Sequence, residues 1–311
     1  MLEMIDPMAP FDEAHRAIDA HDPDALQTVL TAHPEVLGQT GGTNANDLLG
    51  RATATCDERT VAMLLEAGAS PTQANVHGWT ALHQAGYANA AHLVPMLLDA
   101  GADATLSARG DGGTPFIVAA FWGRRAVMEL LPALPHNLRA GASAGDLAVL
   151  GSPEAGAHRA YYRPHSGFPE WAPSDDPQQV LDEALAWAAR NDRAAVLAPL
   201  VKAGARLGAD VYRGTALIWA AATGAAAAVR ELLALGAEVD GRGGFGGETH
   251  GRDVTPLHIA AEAGNEEIVD LLLDAGADST LRDGQHGGAA DGWAEHGGHP
   301  QLAERIRATR L

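Results

Sequence analysis

Residues 158–171 read HRAYYRPHSGFPEW, with two histidines, two tyrosines, a phenylalanine, a tryptophan and a glutamate in one short span. Imidazole, phenol and carboxylate groups held together in a dry cleft can move protons without a cofactor. His158, Tyr161, Tyr162, His165 and Glu170, joined by Glu248, His250 and Asp253 from a later loop, carry the parts for such acid–base chemistry. The candidate catalytic residues among them are His158, Tyr161, Tyr162, His165 and His250. Spacing along the chain does not show that they converge.

Other chemistries fit less well. His286, His296 and His299 lie near one another in sequence, but two histidines separated by two glycines match no common zinc spacing, and no cysteine assists. No metal is expected. The stretch GRGGFGG at 241–247 has no lysine and follows no predicted strand, which argues against a phosphate-binding loop. Cys56 is the only cysteine, so an internal disulfide is excluded and a reducing compartment fits. Its place in the repeat described below marks it as structural. No nucleophile-elbow or kinase motif set is present, and no cofactor is expected.

Net charge is −19, and Arg124–Arg125 is the only adjacent pair of basic residues. A chain this acidic repels phosphate backbones, so nucleic acid is not an expected partner. No apolar run approaches the roughly 20 residues of a membrane helix, and no basic region precedes an apolar stretch at the N-terminus. A cytoplasmic location is expected. Lys202 is the sole lysine, and this preference for arginine, with heavy use of alanine and glycine, suggests a high-GC bacterial genome.

The elements that must position these residues follow from a repeat. TALHQAGYAN from Thr80, TPFIVAAFWG from Thr114, TALIWAAATG from Thr215 and TPLHIAAEAG from Thr255 align. Counted from each threonine, Asn89, Gly123, Gly224 or Gly264 falls nine residues on, and a Leu pair follows at seventeen and eighteen, one early after Thr114. In three copies a Gly-Ala begins at twenty-one, at Gly101, Gly236 and Gly276. Weaker copies start at Asp12, Asp47, Glu183 and Gly288, with a degenerate one near His136. Each unit reads as a short helix closed by a residue free to turn left-handed, then a second helix with Val and Leu-Leu on one face. One such pair cannot bury its apolar face alone, and stacking can.

The T-[AP]-L-H start, the glycine at nine, V-x-x-L-L and G-A-D resemble the ankyrin repeat over nearly the whole chain. The resemblance implies an all-α solenoid of about eight or nine helix–turn–helix units. It also implies that the Thr and His of Thr80–His83 and Thr255–His258 tie adjacent repeats together by hydrogen bonds, which makes both histidines structural. Trp79 falls where the family tolerates a packed aromatic. The last unit loses the Thr and His, as suits a polar cap.

The period divides the chain into N-terminal repeats at 1–150 (the last one degenerate), an aromatic, proline-rich insertion at 151–177 and C-terminal repeats at 178–311. Four aromatics within residues 158–171 point to a packed segment rather than a loose linker. The turn after Gly236 is also about seven residues longer than its counterparts. Positions four, seven and eight after each mark are expected on the groove side. The candidate binding set is Tyr87, Phe121, Trp122, Trp187, Arg190, Trp219 and Glu262, with Trp171 from the insertion. The leading expectation is recognition of a protein partner through the concave face, the aromatics serving as anchors. The alternative is a small hydrophobic ligand, or cofactor-independent acid–base catalysis of isomerase, cyclase or hydrolase type, in a cleft closed by residues 151–177.

Overall fold

Nine residues after most repeat marks the backbone turns left-handed; after Gly288 it does so ten residues on, at Gly298. The φ values are +52° at His21, +58° at Cys56, +61° at Asn89, +66° at Gly123, +60° at Asp192, +68° at Gly224 and +66° at Gly264. The conformation recurs even where glycine does not. A non-glycine residue there costs about 1–2 kcal/mol, which packing of the hairpin offsets. Cys56 therefore stands in for a glycine, and its Sγ lies 3.7 Å from the Ala88 carbonyl. The second punctuation, at Gly68, Gly101, Gly204, Gly236 and Gly276, has φ between +88° and +114°.

The computed structural model describes residues 8–42, 45–108, 113–159, 174, 176–244 and 252–309. The chain divides into two compact units, 1–135 and 136–311. The first unit pairs α1 (Ala9–Asp19) with α2 (Pro23–Ala32), α3 (Leu48–Ala54) with α4 (Glu58–Glu66), α5 (Ala81–Ala88) with α6 (Val94–Asp99), and α7 (Pro115–Phe121) with α8 (Arg125–Met128). The first helices stack, α3 on α1 and α5, and α5 on α7. Leu49, Leu64, Leu82, Leu97, Phe116 and Val127 are buried. The marks are helix caps: Asp47 accepts from Gly50 N–H at 2.8 Å and Thr114 from Ile117 N–H at 3.3 Å.

The second unit begins with α9 (Leu138–Ala144), which has no paired second helix among the described residues; a short 3-10 turn, Pro153–Gly156, follows it. α10 (Pro177–Arg190) pairs with α11 (Ala194–Lys202), α12 (Ala216–Ala222) with α13 (Ala226–Ala234), α14 (Pro256–Glu262) with α15 (Glu266–Asp274), and α16 (Ala290–His296) with α17 (Pro300–Ala308). One buried cluster runs through Leu138, Leu185, Leu217, Leu257 and Leu302. Here the structure departs from the period in two ways. α9 packs on α10, so the degenerate repeat groups with the C-terminal array rather than with residues 1–135. α10 starts at Pro177 instead of at the Glu183 mark, because Asp176 caps Gln178 N–H and Pro177 suits a first helical turn. Glu183, Trp187 and Arg190 thereby come to share one face of a single helix.

The implied Thr–His ties are present. His83 Nδ1 accepts from Thr80 N–H at 3.1 Å, which leaves Nε2–H to donate to the Gly113 carbonyl at 2.8 Å in the next repeat. His258 does the same with Thr255 N–H at 3.2 Å and the Gly288 carbonyl at 3.2 Å. Burial lowers the pKa of both, that of His83 to about 4. No β-strand is present among the described residues, and none of their helices is long and apolar enough to cross a membrane.

Candidate functional site

Two aromatic clusters occupy the first-helix side, one in each unit. In the first unit Asn75 Oδ1 accepts from the backbone N–H groups of His77 and Trp79, at 2.8 and 3.0 Å, and so fixes the turn ahead of α5. That turn lays the Trp79 ring along His83 at 6.2 Å and against Tyr87 at 6.0 Å. Tyr87 in turn meets Trp122 edge-on at 5.4 Å, and Trp122 meets Phe121 at 5.2 Å. The ladder thus crosses from α5 to the end of α7. Tyr87 is 48% exposed, Trp79 and Trp122 are half-buried, and Phe121 is buried. Such edge-on aromatic pairs hold rigid rings at a surface with little entropy left to lose.

In the second unit the described tryptophans and Tyr212 are covered. Trp187 is fully buried and Trp219 is 4% exposed. The Arg139 guanidinium lies 4.7 Å from the Trp187 ring centre, and that of Arg190 lies 3.4 Å from the Trp219 ring centre. Both arginines are fully buried. These tryptophans, expected as anchors for a partner, present no surface to one, because cationic side chains occupy their faces. Trp219 Nε1 donates to the Val211 carbonyl at 2.7 Å, which places Tyr212 edge-on to Trp187 at 6.2 Å.

A polar shell surrounds these rings. Arg139 Nη1 donates to the Arg159 carbonyl at 3.1 Å and to Tyr212 Oη at 3.3 Å. Arg159 Nη1 donates to Glu183 Oε2 at 3.1 Å, a pair in which both side chains are buried. Burial pushes the Glu183 carboxyl up, to about 7, against the pull of Arg139 and Arg159. Burial likewise raises the Tyr212 phenol to about 12, so it stays protonated. Arg159 also donates to the Gly156 carbonyl at 3.0 Å and to the Ser174 carbonyl, gripping the chain on both sides of residues 160–173. An open cleft of about 560 Å³, lined by Asp182, Glu183, Arg206, Asp210 and Val211 among others, borders this shell. A second, more apolar cleft of about 600 Å³ lies between Leu138, Leu150 and Pro153 on one side and Val180 and Leu181 on the other.

Tyr161, Tyr162, His165, Glu170 and Trp171, with Glu248 and His250, lie outside the described residues. His158 and Asp253 are exposed, with φ of +51° and +56°, and Glu262 is half-buried at the end of α14. The sequence reading missed Arg139, Arg159, Glu183 and Tyr212. One signal was there to use. Six residues before the left-handed Gly145, Arg139 takes the place that His83 holds before Asn89 and His258 before Gly264, both buried.

A family model for ankyrin repeats, in three copies, matches residues 49–140 and 185–283. The ankyrin repeat and KH domain-containing protein mask-1 of Caenorhabditis elegans is 30% identical over 192 residues, 62% of this chain and 7% of that protein. Palmitoyltransferase AKR1 of Kluyveromyces lactis is 42% identical over 73 residues, 24% of this chain and 9% of that protein. The chain thus spans less than a tenth of either relative. The crystal structure of the human ASB11 ankyrin repeat domain aligns over 83% of this chain and 96% of its own, at 21% identity and a TM-score of 0.36.

Proposed function

Because this chain belongs to the ankyrin-repeat family, whose repeats serve as protein-interaction modules, we propose that it recognises a protein partner through the first-helix face of its N-terminal unit, without covalent chemistry. The observation that carries this reading is the Trp79–Tyr87–Trp122 ladder, with Tyr87 48% exposed at its centre. Tyrosine and tryptophan rings already held by their neighbours, with a polar tip toward water, are the usual energetic centres of protein interfaces. Fold likeness alone is a weak warrant for function, and the exposed ladder supplies a surface that the fold does not require.

The test is a photo-crosslinking amino acid placed at Tyr87 and, as a control, at Asp99 on the end of α6. A discrete crosslinked partner from extracts of the source cells is expected at position 87 and not at 99. It should weaken by about tenfold or more when Trp122→Ala is added, the loss typical of one hot-spot residue. Equal labelling at both positions, or labelling indifferent to Trp122, overturns the reading.

A further inference from the structure

Arg139 is placed to do more than support Trp187. Its Nη1 is engaged by the Arg159 carbonyl and Tyr212 Oη, and its plane is set by the Trp187 ring. Its Nε and Nη2 are buried and have no hydrogen-bond partner among the described residues. These two N–H groups form one edge of the guanidinium, the parallel fork that matches the two oxygens of a carboxylate or phosphate. A fully buried cationic fork left without an acceptor costs free energy, and structural arginines are ordinarily satisfied. Two carboxylates of α10 are already committed. Glu183 bonds Arg159, and Asp182 takes Arg206 through Nε and Nη2 at 2.9 and 2.6 Å.

We propose that the Arg139 fork is the recognition element of a buried oxyanion site, taking a carboxylate or phosphate group carried by a small molecule. The guanidinium lies over the Trp187 ring, and the open cleft lined by Glu183 and Val211 borders the polar shell to which it belongs. Arg190, on the same helix face as Trp187 and 5.5 Å from its ring centre, adds positive potential beside that ring. The site belongs wholly to the second unit, so it stands or falls independently of partner recognition by the first.

The experiment is calorimetry and thermal melting of the full chain with inorganic phosphate, succinate and benzoate, each against sodium chloride at matched ionic strength. At least one oxyanion is expected to bind saturably, raise Tm and change tryptophan emission. A response to phosphate alone assigns a phosphoryl ligand, and a response to succinate or benzoate assigns a carboxylate. Arg139→Lys, which keeps the charge and loses the fork, should weaken binding by at least about tenfold. Arg139→Met should abolish it; because it also removes the bonds to the Arg159 carbonyl and Tyr212 Oη, its binding is read below its own melting transition, with circular dichroism showing it folded. Tyr87→Ala should leave it unchanged. The proposal is overturned if no oxyanion exceeds chloride, or if Arg139→Lys binds like wild type.

Discussion

In the first unit Trp79, Tyr87 and Trp122 lean on one another and leave Tyr87 half in solvent. In the second, Trp187 and Trp219 occupy comparable positions along their helices, and each carries an arginine on its face. Ring against ring leaves an apolar surface that another protein can cover. Guanidinium against ring gives a charged interior instead. The difference lies in what covers the aromatic, and it separates the surface proposed for a protein partner from the interior proposed for a small anion.

The largest effect that would break this comparison is on stability. Trp187→Ala removes a fully buried ring that supports two buried arginines, and should cost about 3–5 kcal/mol in urea denaturation. If the loss is under about 1 kcal/mol, Trp187 is not the keystone of that cluster. Next comes acid. The buried His83 titrates at about 4 instead of 6.5, so its contribution is complete above pH 6.5 and is lost as pH falls toward 4. The free energy of unfolding should drop by roughly 3 kcal/mol over that window relative to a His83→Gln variant, whose profile lacks this step. Asp47, which burial raises to about 6, titrates in both proteins and cancels in the difference. A smaller effect, about 1 kcal/mol, is expected for Thr215→Ala, which deletes the cap on Ile218 N–H. Smallest is Tyr87→Ala, within about 1 kcal/mol on stability because the side chain is half exposed, yet with loss of partner crosslinking at a neighbouring probe. A large destabilisation there would move Tyr87 from surface to core and erase the contrast between the units.

Much of the fold was legible because the signal was conformational and local. A left-handed residue nine positions after each mark is visible as Gly123, Gly224 and Gly264, and the same count lands on Cys56 and Asp192 without any glycine to announce it. The threonine and aspartate caps and the His83 and His258 ties were equally readable, since each couples residues three apart or one repeat apart. The site was harder. Spacing put Trp187 and Arg190 on one face, but the group that covers Trp187 comes from Arg139, on a helix whose own repeat is degenerate. The extension of α10 back to Pro177 hid Glu183 inside a helix where the period had placed a start. Burial depends on contacts between distant segments, and a periodic reading sees only each segment's own face.

Arg159 has a consequence for how this protein can vary. One guanidinium grips the Gly156 carbonyl on the outgoing side and the Ser174 carbonyl on the returning side, and is itself anchored to Glu183. One side chain thus ties Gly156, Ser174 and α10 together at a single clasp. Its replacement would free both carbonyls and leave the buried Glu183 without its ion-pair partner, so one substitution would be felt on both sides of the clasp at once.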